Sequence, residues 1–500
     1  MKRELFLEEA RLGARDPALI EYDESPRRRQ LPARFRSYAL VDLAHAVMMV
    51  EEGILDRRRG GRLLAGLLQV LDLGAENFPW DARSGSYLVQ VEHYLEQRLG
   101  EDISGRLQTG RSRNDQDAAA DRVFLRDRLL EVVAALLSLE GSLLSTAEAH
   151  VATIMPGYTH LQHAEPWTFG HYLLRQVAVF ERDLQRVEGA FGRTNQSALG
   201  GAALVGTSWP VNRRRVERLL GHEGIVLNAS DAGVFAWDHL EEGIASLALM
   251  MSNLGRLATD LYVWHSWEFS FVEVADGLAA TSSIMPQKKN PHALERVKAL
   301  AGQAIGWLPT IMGSQRGVLS TDLDAAFAED IVGPAAEGSL AALRLSQAVM
   351  DSLIVHADVM AQKAGAFWST ASHLADELVR RFDLPFRTAH HIVGRFVRDS
   401  IAEGRGPETP SADLLRRASR DFTAQEISVD PEELRQLLDP RHFIETRISE
   451  GSASPRRADE QVASIREALS RHHGWYAQKA ALIRDATDNL LAVARALASG

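Results

Sequence analysis

From Arg113 to Ala149 no proline interrupts the chain. Val123, Leu125, Leu129, Leu130, Val133, Leu136, Leu137, Leu143 and Leu144 recur there near the helical period. A single helix of that length spans about 55 Å, far more than an ordinary globular helix. It can bury its apolar stripe only against partners of comparable length. The sequence supplies them: Trp167–Phe191, Phe235–Trp267, Pro291–Met312 and Ala335–Ala366 repeat the periodicity. Alternating strand patterns are scarce. The expected fold class is therefore all-α, with long central helices in an elongated bundle.

The flanks read differently. Residues 1–110 hold shorter stretches, such as Leu40–Glu52 and Gly61–Leu73, split by the turn Asp81-Ala82-Arg83-Ser84-Gly85-Ser86. Residues 367–500 hold short amphipathic helices around the linker Gly404-Arg405-Gly406-Pro407-Glu408-Thr409-Pro410. Three helical domains are expected, at 1–110, 111–366 and 367–500, in keeping with roughly 150 residues per domain.

The absence of cysteine excludes a disulfide framework, a thiolate zinc site, an iron–sulfur cluster and a cysteine nucleophile, and it suits a reducing compartment. Lys plus Arg is 56 and Asp plus Glu is 67, so the net charge is −11. That argues against a nucleic-acid partner, and an anionic substrate must be drawn by local cations. The first residues carry no apolar run of signal-peptide length, and no window approaches the roughly 18 uninterrupted apolar residues of a membrane span. A cytoplasmic protein without a membrane partner is expected.

Three segments carry chemistry. Thr109-Gly110-Arg111-Ser112-Arg113-Asn114-Asp115-Gln116 opens the longest helix. A helix N-terminus offers free N–H groups and a positive dipole end to an anion. Ser112, Arg113 and Asn114 add hydroxyl, guanidinium and amide donors, and a guanidinium can hold a carboxylate through two parallel bonds. The same residues also read as a simple capping box of Ser112 and Asp115, with Arg113 a surface charge. The second segment, Met155 to Pro166, is bounded by prolines and reads as a loop between two long helices. It holds Thr159 and His160, and a histidine exchanges protons near neutral pH. His160 and His163 have a conceivable ligand spacing, but no acidic or thiol shell goes with them, so no metal is expected. The third segment, Ala279 to Pro291, places Ser282 and Ser283 before Lys288, Lys289 and Asn290, and ends on a helix-start proline. Such a loop can close over a substrate and exclude water. Lys288 can pair with a carboxylate there, and Asn290 can hydrogen-bond it.

In this order, with long helices between them, TGRSRNDQ, MPGYTHLQHAEP and SSIMPQKKNP resemble the three signature regions of the fumarase/aspartase superfamily, and within it those of argininosuccinate lyase. The resemblance covers most of the chain from about Ala39, and is looser before that and around 404–435. It implies a homotetramer with a central bundle of twenty helices, in which each active site gathers the three regions from three subunits. It implies elimination of fumarate from a succinyl unit, without metal or organic cofactor. It also implies roles. Ser282 is the base that takes a proton from carbon beside a carboxylate. Lys288 and Asn290 hold that carboxylate where charge builds up. Ser112, Arg113, Asn114, Thr159 and Ser283 bind the succinyl unit. His160 and Glu295 protonate the departing nitrogen or orient the group that does.

The sequence departs from the family where the amine half would lie. The family's Gly-Ser-x-Ala-His reads Val41-Asp42-Leu43-Ala44-His45, so a serine is missing. Its Glu-Asp-Ile-His reads Gly85-Ser86-Tyr87-Leu88, so an acid and a histidine are lost. Its Tyr-Asn-Lys-Asp-Leu-Gln-Glu-Asp-Lys reads Leu319 to Phe327, with Leu319, Asp324 and Phe327 replacing tyrosine, glutamine and lysine. Lost polar partners in a buried site cost selectivity heavily. The expectation is a fumarate-releasing carbon–nitrogen lyase, reversible towards amine addition, whose amine is not arginine. Asp42 and Asp324 stand as receivers of a cationic amine, and Phe327 of an apolar one. The alternatives are an authentic argininosuccinate lyase, an aminopolycarboxylate lyase such as one for ethylenediamine disuccinate, and a non-catalytic crystallin-like protein. One further departure, Thr281 in place of the family's glycine, stiffens the third segment and disfavours positive φ.

Overall fold

The computed structural model describes residues 15–235, 237–314 and 329–500. Helices α1 (Ser25–Glu51), α2 (Arg57–Asn77) and α3 (Tyr87–Leu99) lead into α4 (Arg113–Ala149). A hairpin of β1 (Ile154–Thr159) and β2 (Gln162–Thr168) follows, then α5 (Phe169–Thr194) and α6 (Asp238–His265). The two-residue strands β3 (Val272–Glu273), β4 (Ala280–Thr281) and β5 (Lys289–Asn290) precede α7 (His292–Ala304), α8 (Trp307–Ser314) and α9 (Val332–Asp351). After β6 (Ile354–Val355) come α10 (Ala371–Phe382), α11 (Phe386–Ala402) and, past shorter helices, α12 (Pro455–Ser499). The chain is all-α, as expected.

Helix α4 starts where the cap chemistry places it. Ser112 is extended, its Oγ accepts the Asn114 N–H at 3.3 Å, and Asp115 Oδ1 accepts the Ser112 N–H at 2.8 Å. Leu125, Leu129, Val133, Leu136 and Leu143 are fully buried. Arg126 is buried too, and donates to the Leu220 carbonyl at 2.8 Å. By length and composition α4 also passes as a membrane span, with half of its most apolar window buried inside the protomer.

The long helices alternate in direction. Gly170 N–H donates to His150 O at 2.9 Å, which turns α5 back along α4, and Arg122 donates to Arg193 O at 3.1 Å towards the other end. Trp264 packs edge-on against Tyr172 with ring centroids 4.5 Å apart, so α6 ends beside the hairpin. Strand β3 pairs with β6 and β4 with β5 at that same end. The second and third segments therefore share one end of the bundle. The first lies at the other, one α4 length away, which is about 55 Å.

Five expectations are corrected. Residues 367–500, expected to hold short amphipathic helices, end in α12, whose 45 residues exceed the 37 of α4. The prolines of 155–166 do not make a loop: the segment is an antiparallel hairpin, with a register irregularity between Met155 and Gly157 that accommodates Pro156. The helix expected over Pro291–Met312 breaks between α7 and α8, at Gly306. The one expected over Ala335–Ala366 stops at Asp351 and gives way to β6. Helix α1 begins well before Leu40 and runs through Pro32, because Leu31, Phe35 and Tyr38 pack into the core.

One large core contains residues from Leu31 to Ala494, and a separate one is confined to 368–438 around α10 and α11. Residues 367–500 do not share one core. Helix α12 returns to the main bundle, burying Ala458, Val462, Leu469, Leu490 and Ala494 there.

Candidate active site

At the N-terminus of α4, Ser112, Arg113 and Asn114 are half-buried on a frame of fully buried polar groups. Asp115 closes the capping box and also accepts the N–H groups of Gly200 at 2.8 Å and Ala202 at 2.9 Å. Arg111 Nη2 lies 2.7 Å from Asp42 Oδ1, both side chains fully buried, and Gln116 donates to the same carboxylate at 2.7 Å. Burial pushes the Asp42 carboxyl up while Arg111 opposes it, and burial together with Arg111 pulls the His45 pKa well down. Asp42 is thus not an open receiver for a cationic amine. A carboxylate standing in for a small hydroxyl in a buried place needs a counter-charge, and Arg111 supplies it. Ser112–Asn114 border a cavity of about 420 Å³.

At the far end, Thr159, His160 and Leu161 are exposed at the hairpin tip. His160 (φ 54°) and Leu161 (φ 59°) are both left-handed, a tip that usually calls for Asn-Gly. Two such residues in sequence cost on the order of 1–3 kcal/mol each. Below them Tyr158 packs edge-on on His163, with ring centroids 5.0 Å apart. Burial, with Lys363 nearby, lowers the His163 pKa.

The third segment is a loop with a pinned base. Ala280 pairs with Asn290 and Thr281 with Lys289. Thr281 sits in this strand and is not among the positive-φ residues, so its stiffness suits its conformation. Lys289 Nζ donates to Glu273 at 2.7 Å and lies 2.6 Å from Asp276. Burial works against that ammonium, but its hydrogen bonds to Asp276 and Glu273, and their charges, outweigh it and raise its pKa. Lys288 is exposed and makes no ion pair among the described residues. Ser282 Oγ accepts the N–H of Met285 at 3.1 Å and of Ile284 at 3.3 Å. Ser283 is exposed and Asn290 half-buried. Glu295, in the first turn of α7, receives the Tyr262 hydroxyl at 3.4 Å and stands 3.9 Å from His292. No hydrogen bond joins His160 to Glu295 among the described residues. Asp324, Phe327 and Leu319 lie outside the described residues.

The sequence matches the family described as Lyase over residues 20–306, and the argininosuccinate lyase C-terminal family over residues 368–445. Argininosuccinate lyase of Methanoculleus marisnigri is 35% identical over 465 residues, 93% of each chain. The chain belongs to the argininosuccinate lyase family. Among solved structures, EDDS lyase in complex with formate superposes with a TM-score of 0.85 at 31% identity, covering 97% of both chains. An EDDS lyase variant with bound fumarate gives 0.86 at 30% identity over the same shares. This member of the argininosuccinate lyase family, in the fumarase/aspartase superfamily, is a carbon–nitrogen lyase that produces fumarate.

Several site-bordering residues of this lyase escaped the sequence reading. Arg27 borders the cavity, yet in Arg27-Arg28-Arg29 it reads as a solvated charge run. Glu24 is buried and accepts the Gly85 N–H, a contact across 61 residues that no local pattern announces. Glu273 and Asp276 share Lys289, a pairing that the sequence did not announce.

Proposed function

We propose that Ser282 takes the proton in an elimination that splits an N-substituted aspartate into fumarate and an amine other than arginine, in sites shared by three protomers of a homotetramer. The observation that carries this reading is the pair of backbone N–H groups, from Ile284 and Met285, on Ser282 Oγ. A serine acts as a base only as its alkoxide, and fixed donors in place before reaction are what lower the cost of that anion. Lys288, on the same loop, adds positive charge to the alkoxide and to the substrate carboxylate.

The proton passes from carbon to Ser282 Oγ. The electron pair of the broken C–H bond spreads into the adjacent carboxylate, held by Lys288 and Asn290. The C–N bond on the other carbon then breaks, and the nitrogen leaves with a proton supplied on the His160–Glu295 side. Ser112, Arg113, Asn114, Thr159 and Ser283 hold the succinyl unit. The reverse addition uses the same groups.

The shared site is supported by length. Ser112–Asn114 and the two other segments stand at opposite ends of a 37-residue helix, about 55 Å long, while the diacid has four carbons. Protomers overlapping head to tail bring the two ends together.

Two departures support an amine other than arginine: Asp42, taken up by Arg111, replaces the family's serine, and Gly85 replaces its acid. The second reading, an authentic argininosuccinate lyase, is favoured by the 35% identity over 93% of the chain. Fumarate absorbance with argininosuccinate, ethylenediamine disuccinate and further N-substituted aspartates decides between them. Release from the others with little from argininosuccinate is expected. Robust turnover of argininosuccinate alone overturns the proposal.

A further inference from the structure

We infer that His265, the last residue of α6, holds the stem of the Ser282 loop together as a neutral imidazole. It is a positioning residue, acting on the reaction through the loop. Where it bears on turnover, the inference rests on the role proposed above for Ser282.

The ring bonds to both sides of the loop. His265 Nδ1 lies 3.3 Å from the backbone nitrogen of Val274, one residue past β3. Its Nε2 lies 3.3 Å from the carbonyl oxygen of Lys289, in β5. These partners fix the tautomer. A backbone N–H can only donate and a carbonyl can only accept, so Nδ1 is bare and Nε2 carries the proton. An imidazolium has no acceptor left, so a second proton on this ring removes the Val274 bond. Histidine is the side chain that exchanges that proton near neutral pH.

The ring stands on a rigid support. Its neighbour Trp264 is buried against Tyr172, and the Trp264 carbonyl accepts the Phe271 N–H at 2.9 Å. Just past β6, the His356 backbone N–H donates to the Phe271 carbonyl at 2.9 Å, and the His356 ring donates to the Ser270 carbonyl at 3.0 Å. Val274 itself is fully buried. The chain entering the loop is thus tied to the bundle from two directions, and His265 carries that tie across to β5. The ion pairs of Lys289 do not replace it. They are partly or wholly exposed, and such pairs contribute little. The bond from His265 goes to the Lys289 carbonyl, which stays whatever side chain stands at 289. The charged and titratable groups around the ring are Glu273 and Asp276 on the entering side and Lys289 on the leaving side. His356 stands 3.7 Å beyond Glu273. On α7, Glu295 and Lys298 both touch Tyr262, one turn back in α6.

The test compares two variants of the full-length enzyme. His265→Leu makes neither bond. His265→Gln can accept on one side and donate on the other, and its amide takes up no proton in the range used. Hydrogen exchange across residues 272–291 reads the loop without turnover. In His265→Leu that exchange is expected to quicken by about tenfold, the scale of one or two lost hydrogen bonds, with exchange in α4 unchanged. Fumarate release is expected to fall roughly tenfold in kcat, with KM moving by less than about threefold, since a displaced reacting group costs rate first. His265→Gln is expected to restore most of both. At about pH 8 wild type and His265→Gln should agree; towards about pH 5.5 the wild-type loop should exchange faster and turn over more slowly than the variant's. A histidine that only fills space would give no such divergence. Unchanged loop exchange in His265→Leu, His265→Gln as slow as His265→Leu, or no divergence with pH overturns the inference. If loop exchange behaves as expected in both variants while kcat does not move, the role of His265 on the loop stands and the proposed role of Ser282 falls.

Discussion

At the N-terminal end of α4, Ser112, Arg113 and Asn114 rest on Asp115, which takes three backbone N–H groups, and on the buried pair Arg111–Asp42. At the far end, Ser282 and Lys288 ride a loop whose described ties lie at its base, in the β4–β5 pair and in Lys289 with Glu273 and Asp276. Asp276 in that cluster is 95% exposed, whereas both partners of the Arg111 pair are fully buried. A buried pair is locked by the penalty of leaving either charge alone, while an exposed one contributes little to stability. On the roles proposed above, the binding half is built before the ligand arrives, and the reacting half is tied only where its strands meet. A site made this way can admit a diacid onto a fixed cradle and bring the base to it afterwards.

The largest effect expected is on the reacting half. Ser282→Ala should lower kcat by about 10³-fold or more, the scale of a lost general base, with the thermal midpoint unchanged. Fumarate absorbance and a melting scan check both halves of that statement, and near-normal turnover would remove Ser282 from the role. The frame of the binding half should respond in the opposite sense. Asp42→Ala leaves Arg111 buried and unpaired, and about 3–5 kcal/mol of stability should be lost in a urea titration. If Asp42→Ala unfolds at the wild-type urea midpoint, the frame is not rigid in the way the comparison requires.

Lys289→Met probes the base of the loop. Stability should change by no more than about 1 kcal/mol, because the partners are partly or wholly exposed. Turnover should fall roughly tenfold to a hundredfold, since a displacement of the base by about an ångström is costly. Lys289→Arg should recover part of it. A large loss of stability with normal kcat would place Lys289 with the frame and break the contrast between the two ends.

Much of this was legible in the chain, and the reasons differ by residue. The start of α4 is local: Ser112, Asp115 and the absence of proline fix it within one turn. The hairpin was hidden because Pro156 and Pro166 read as loop punctuation and the irregularity beside Gly157 breaks strand alternation. Ser282 and Lys288 stand out by order alone, but which of two adjacent lysines is pinned depends on Glu273 and Asp276, brought round by the turn after β3. Asp42 looked available because its partner lies far along the chain, at Arg111.

The last effect concerns acidity under the binding frame. Burial pushes the Glu92 carboxyl of α3 up from 4.5 to about 7, with Arg111 opposing and Asp42 and Glu96 reinforcing the rise. Between those two values the folded chain keeps a proton that the unfolded chain releases. Stability therefore falls as pH rises through that window, and is level above it. At 1.36 kcal/mol per pKa unit the whole effect is on the order of 3 kcal/mol, or a few degrees in the melting temperature. Glu92→Gln mimics the protonated form. Its midpoint should coincide with the wild type near pH 4.5 and exceed it at pH 8. Lys289→Met, at the other end, should leave the wild-type slope against pH intact. Parallel curves for wild type and Glu92→Gln would show that the frame at the α4 N-terminus does not hold this carboxyl neutral.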